Sequence, residues 1–192
     1  MSQQEFVIPQ DKLLEAGVHI GTKTKHGSMR PYIYKAREDG LHVLDLKKTD
    51  DCLRNAAKML SEFDASGIYV IGSKDNSIRP IKTFCQVIGA NVIAGRFTPG
   101  RFTNPSRADF VEPTLVILSD PSVDKQALKE AFEINVPVIA LCDTNNSLQF
   151  VDAVIPTNNK GRKALSLIFW GLAKVYCELK GIEFAKQPAD FE

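Results

Sequence analysis

Thr114-Leu115-Val116-Ile117-Leu118-Ser119-Asp120-Pro121 carries four consecutive apolar residues into a turn, and Pro137-Val138-Ile139-Ala140-Leu141 carries four more. Neither run alternates with polar residues. A strand made from either must be covered on both faces, which is the habit of parallel sheets. Between the runs, Ala127, Leu128, Ala131 and Phe132 recur at helical spacing and predict an inward-facing helical stripe. Ser122, just after the Asp120-Pro121 turn, is the expected helix cap. Strand, helix and strand in this order form a crossover unit, and the strands it joins are parallel.

The same unit repeats outward. Ile68-Tyr69-Val70-Ile71 precedes a helical pattern over 73–88, with Ile81, Phe84, Cys85 and Ile88 on one face and Pro80 expected near its first turn. Asn91-Val92-Ile93-Ala94 follows as a strand. Upstream, Leu41 to Leu46 alternates like a strand. Residues 47–65 then carry Leu53, Ala56, Ala57, Leu60 and Phe63 at helical spacing, with Thr49 as the expected cap. Downstream, Val151 to Ile155 is a short sixth strand candidate, and Lys160 to Lys180 is an amphipathic helix stopping at Gly181. The fold class is α/β: a three-layer, doubly wound, mainly parallel sheet. No internal linker divides the chain, so residues 1–192 read as one domain. Residues 1–40 are an extension with a short helix from Asp11 to Ala16 and a basic loop. Residues 41–181 are the α/β core, and 187–192 are expected to be a loose tail.

The 192 residues are 44% apolar and 24% charged, ordinary for a folded globular chain. No run approaches the roughly 20 apolar residues of a membrane span. Met1 to Glu5 lacks the pattern of a secretory leader, so cytosolic residence is expected. Cys52, Cys85, Cys142 and Cys177 lie far apart in apolar surroundings and read as free thiols. His19, His26 and His42 lack metal-ligand spacing, and neither metal nor cofactor is expected.

A doubly wound sheet invites a nucleotide-enzyme reading, but no glycine-rich phosphate fingerprint follows any strand. Gly72-Ser73-Lys74 suits either a phosphate at a helix N-terminus or an ordinary cap and turn. Asp120 and Asp143, each just past a strand, read as turn and cap residues rather than acid–base groups. Cys142 has no activating base in sight.

Charge is the more informative feature. The net charge is only +1, yet residues 20–40 hold five cations against two acids and residues 72–108 six against one. Residues 109–158 reverse this, with two cations against eight acids. Lys23, Lys25 and Arg30 lie in a hydroxyl-rich loop suited to a phosphate backbone. Arg96 and Arg101 lie in a Gly/Pro-punctuated loop that doubles the triplet Arg-Phe-Thr. Lys160, Arg162 and Lys163 crowd a helix start, the unfavourable end of the macrodipole for positive charge unless an anion is near. Phe97 and Phe102 can stack on bases or anchor the loop, and at least one is expected to serve as an anchor.

Leu13-Leu14-Glu15-Ala16-Gly17-Val18-His19-Ile20-Gly21 resembles the N-terminal signature of the S2 family of small-subunit ribosomal proteins. Pro113 to Pro121, running on to Val136-Pro137, resembles its second signature. Asp143-Thr144-Asn145 and Ile155-Pro156-Thr157-Asn158-Asn159-Lys160 also resemble family segments. The likeness spans roughly 6–185 in the expected order and is to the compact archaeal type within the archaeal and eukaryotic branch. Arg101 and Pro105 depart from the family's loop. The resemblance implies a flavodoxin-like five-stranded sheet of order 2-1-3-4-5 and a structural, non-enzymatic role near the head–body junction of the small subunit, in assembly and translation. It implies small-subunit ribosomal RNA and neighbouring ribosomal proteins as partners, with no membrane or small-molecule substrate. The low net charge points to a small RNA footprint and a large share of protein–protein contact.

Overall fold

The computed structural model describes residues 6–192. Its elements run α1 (Gln10–Glu15), β1 (Ile33–Ala36), β2 (His42–Leu44), α2 (Leu46–Ser61), β3 (Ile68–Gly72), α3 (Asp75–Ile88), β4 (Asn91–Ala94), β5 (Leu115–Leu118), α4 (Lys125–Glu133), β6 (Val138–Cys142), β7 (Ala153–Pro156) and α5 (Arg162–Lys180). Five strands form one sheet in the order β4-β3-β5-β6-β7, with every neighbouring pair parallel. Numbered within the sheet, that order is the expected 2-1-3-4-5.

Membership of the sheet differs from expectation at both ends of the count. The segment around His42 does not join it; β2 pairs antiparallel with β1 in a separate two-stranded sheet. The candidate at 151–155 supplies the fifth strand, β7, instead. The cause lies in where α2 packs. It runs along α5 and β7, and Thr49 Oγ1 donates to Pro156 O at 2.8 Å. The residues just before α2 are therefore delivered to a hairpin rather than to a ladder position.

Period-2 alternation divides the core between the two faces. Ile68, Val70, Leu115, Ile117, Ile139, Leu141 and Ile155 pack with α2, α3 and α5. Ile71, Val116, Leu118, Val138, Ala140 and Cys142 pack with Ala127, Leu128 and Ala131 of α4. That second face is completed by residues outside the α-helices: Met29, Leu44, Phe97 and Phe102. The basic loop is thus part of the core wall.

Local expectations are corrected in several places. Asp45, not Thr49, caps α2, its Oδ1 accepting from Lys47 N–H at 3.0 Å. Pro80 sits in the second turn of α3. Ser122 belongs to the turn before α4, where its N–H donates to Asp120 Oδ1 at 2.9 Å. Phe132, expected to face in, is 51% exposed, because it lies at the border of the stripe set by Ala127, Leu128 and Ala131. The tail expected to be loose is docked. Pro188–Phe191 forms a 3-10 turn, Phe191 is fully buried, and Ser166 Oγ donates to Phe191 O at 2.9 Å. Trp170 Nε1 donates to Lys186 O at 2.9 Å, holding the approach to that turn against α5. Burying one phenylalanine ring offsets the ordering of a short polar tail.

Candidate nucleic-acid interface

The expected cations sit on segments gathered at one end of the sheet, the carboxyl ends of its strands. Arg96 and Arg101 follow β4; Lys160, Arg162 and Lys163 follow β7. The loop of Lys23 and Lys25 reaches the same end by docking on Thr144, two residues past β6. Thr22 N–H donates to Thr144 Oγ1 at 2.9 Å, and His26 N–H donates to Thr144 O at 2.7 Å. Gly21 makes this approach possible: a Cβ there would lie 2.4 Å from Thr144 Cγ2 and 2.7 Å from His42 O. Lys23, Lys25, Arg30, Arg96, Lys160, Arg162 and Lys163 are exposed, and Arg101 is half-buried.

The loop from Gly95 to Val111 is built from inside. Phe97 and Phe102 are both buried and meet edge to face, with ring centroids 4.9 Å apart. Both phenylalanines are therefore anchors, and neither offers a face to a base. Glu130 of α4, only 2% exposed, accepts from Gly100 N–H at 2.7 Å, from Phe102 N–H at 3.0 Å and from Gln126 Nε2 at 2.8 Å. Gly100 adopts φ +85°, a left-handed conformation that glycine takes at little cost. Arg107 forks onto Asp109 at 2.8 and 3.2 Å, and Thr98 Oγ1 donates to the same carboxylate at 3.0 Å. The Arg107 hydrogen bonds hold the Asp109 carboxyl down at about 2. The doubled Arg-Phe-Thr is not symmetric in space. Arg96 projects to solvent, whereas Arg101 is partly sunk, its Nε buried without a hydrogen-bond partner and its carbonyl accepting from Val111 N–H at 3.0 Å.

Beneath the loops lies an acidic polar layer that answers the phosphate-cradle question. Lys74 Nζ is paired with buried Asp120 Oδ2, and Ser73 Oγ lies between Gly95 O and Asp124 Oδ1. Asn146 joins the layer together. It donates to Asp120 Oδ1 at 3.0 Å and to Ser122 Oγ at 2.6 Å, and accepts from Asp143 N–H at 2.6 Å and Asn159 Nδ2 at 3.0 Å. Lys160 Nζ stands 3.4 Å from Asp143 Oδ2. Burial pushes the carboxyls of Asp124 and Asp143 above the usual range. A phosphate entering here would meet three buried aspartates and a lysine already paired. Gly72-Ser73-Lys74 is thus a turn into α3, with Lys74 at the N-cap position making no side-chain cap hydrogen bond and its carbonyl accepting from Ser77 N–H at 2.9 Å. Cys142 is fully buried, and burial pushes its thiol up, away from thiolate. Among the described residues no His, Cys, Asp or Glu group is set to hold a metal ion, and no helix is long and apolar enough to cross a membrane.

Three contributions escape sequence reading. Glu130 looks like any surface acid of a helix, and Asn146 like a loop residue. Tyr34 of β1 is 70% exposed, with Lys35 Nζ 5.9 Å from its ring centroid, and nothing in its sequence context marks it.

The family described as Ribosomal protein S2 matches residues 13–109 and 107–178. The chain is 46% identical over 192 residues to small ribosomal subunit protein uS2 of Methanococcus maripaludis, covering 100% of this chain and 87% of that protein. It is 48% identical over 179 residues to the protein of the same name from Thermoplasma volcanium, covering 93% of this chain and 90% of that one. The Thermoplasma acidophilum protein of that name is 47% identical over 178 residues, with 93% and 89% covered. With a five-stranded parallel sheet of the expected order and near full-length identity of this size, the chain belongs to the ribosomal protein S2 family.

Proposed function

We propose that this chain is a structural, non-catalytic constituent of the small ribosomal subunit. In this reading it binds small-subunit ribosomal RNA through the carboxyl end of its sheet and contacts neighbouring ribosomal proteins elsewhere, in the cytoplasm. The observation that carries the RNA contact is the convergence of three separate basic segments on one end of the sheet. That is where α/β proteins usually bind small ligands. Here the chain's own Thr22 to Ser28 docks on Thr144 and Leu148 past β6, and the cleft left beside β4, lined by Ser73, Arg96, Phe97 and Asp124, sets a buried carboxylate against any small phosphate. What remains for binding is an outer, cationic surface, which suits a polyanion better than a small molecule.

Lys23, Lys25, Arg30, Arg96, Arg162 and Lys163 contact phosphates in this reading, with affinity falling as salt rises. Lys160 joins them by sharing its charge between Asp143 and RNA, and Arg101 contributes as much to loop packing as to phosphate. Sedimentation of a cell extract tests the proposal. The chain is expected to travel with small subunits; a chain that stays at the top of the gradient refutes it.

A further inference from the structure

At the opposite end of the sheet, where the strands begin, Phe132 and Phe150 stand in solvent, 51% and 39% exposed. Their ring centroids are 4.1 Å apart with planes inclined by 31°, so they form one stacked aromatic surface. Beside them is a cleft walled by Val136, Pro137 and Val151, whose charged lining among the described residues is Asp152, an exposed residue with Oδ2 accepting from Val138 N–H at 2.8 Å. Glu133 follows Phe132 and is exposed; its cation, Lys129, is 3.6 Å away and mostly in water, a weak pair. Phe150 is held at φ +66°, a left-handed conformation that is costly for a bulky aromatic residue. Such strain collects where a side chain must be presented in a fixed direction.

Resting on the reading of this chain as a small-subunit constituent, we infer that the Phe132–Phe150 surface is a protein-docking site. Its occupant is a basic segment of a neighbouring ribosomal protein. That segment sets an apolar side chain against the two rings and the cleft, and lays Arg or Lys beside Asp152 and Glu133. Paired aromatics at the centre of a small apolar cleft are the usual anchors of protein interfaces. The acidic rim selects a cationic partner and disfavours RNA, whose phosphates it repels. It also disfavours a second copy of this chain, which would set Asp152 and Glu133 against their own images. The molecule is then bipolar, with RNA at the carboxyl ends of the strands and protein at their amino ends. A modest RNA footprint fits the net charge of +1.

Photocrosslinking in intact subunits tests this. A chain carrying Phe132→p-benzoylphenylalanine is incorporated in cells, small subunits are purified, and irradiated products are mapped. The expected product is a crosslink to a Lys/Arg-rich peptide of another ribosomal protein, while the same photoprobe at Arg96 labels RNA. Crosslinks from position 132 to RNA alone, to a second copy, or to nothing overturn the inference. Absence of the chain from subunits instead refutes the underlying proposal, and this inference falls with it. Phe150→Gly supplies a second readout. It relieves the left-handed strain but also removes a ring packed on Phe132, so the free chain stays folded with its melting temperature little changed, while incorporation falls about tenfold through loss of one aromatic anchor. A folded variant with unchanged incorporation overturns the docking role.

Discussion

The carboxylate of Glu130, buried in α4, accepts the backbone N–H of Phe102 at 3.0 Å and so fixes the basic loop to the core. Its other oxygen accepts from Gly100 N–H at 2.7 Å. Glu130→Ala strands two loop amides and is expected to cost about 2–3 kcal/mol of unfolding free energy. Glu130→Gln keeps one acceptor and is expected to cost about half as much. Urea denaturation of the two variants measures both. Equal, negligible losses would mean that the loop is held by Phe97 and Phe102 alone.

Arg96 and Arg101 should separate cleanly despite their matching triplets. Arg96→Ala removes an exposed cation and should change stability by less than about 0.5 kcal/mol. It should lower affinity for small-subunit RNA and reduce the slope of log affinity against log salt by about 1. Arg101→Ala should cost measurable stability as well, because the side chain is half-buried. The double variant should fold and incorporate poorly. Thermal melts and filter-binding titrations over a salt series give both readouts.

The buried aspartates set a pH dependence of definite sign. Asp124 and Asp143 have carboxyls raised above the ordinary value, first of all by burial, so the folded chain binds protons more tightly than the unfolded one. Between the unfolded and folded pKa values the native state carries the extra proton, and stability falls as pH rises through the folded value. Each group thus destabilises at neutral pH and is relieved in acid. Asp124→Asn should therefore gain stability relative to the parent at pH 7, with the gap closing towards pH 4. Asp109 acts oppositely. Held at about 2 by Arg107, its contribution is present above the ordinary carboxylate range and lost as pH falls towards 2. Unfolding free energies of parent and variant across that range check the sign.

Phe191 should behave as a core residue despite being next to last in the chain. Phe191→Ala is expected to cost about 3 kcal/mol. It should also loosen the turn at Pro188–Phe191 and free the Lys186 carbonyl from Trp170. Trp170 is the single tryptophan, so its fluorescence reports the release directly.

The strands that form the sheet were legible because their apolar runs are continuous, which leaves parallel burial as the reading of Leu115–Leu118 and Val138–Cys142. His42–Leu44 misled because a short alternating run looks the same in a hairpin as in a ladder; the packing of α2 on β7 decides, and that is a long-range fact. Phe132 misled because helical spacing cannot say on which side of the stripe's border a residue falls. The exposed cations were readable from composition and loop position. The groups that hold them were not, since Glu130 meets its loop partners 28 and 30 residues away, and Thr144 meets Thr22 across 122. Such pairings have no local signature.

In the proposed assembly the carboxyl end of the sheet faces RNA. Directed cleavage tests it most directly. An iron chelate is tethered through a cysteine placed at position 25, 96 or 163, or at exposed Glu62 just after α2 as a control, in a Cys52→Ser background, and purified small subunits are probed. Strong ribosomal RNA cleavage from 25, 96 and 163 with little from 62 is the predicted result. Equal cleavage from all four positions, or cleavage from 62 alone, contradicts it.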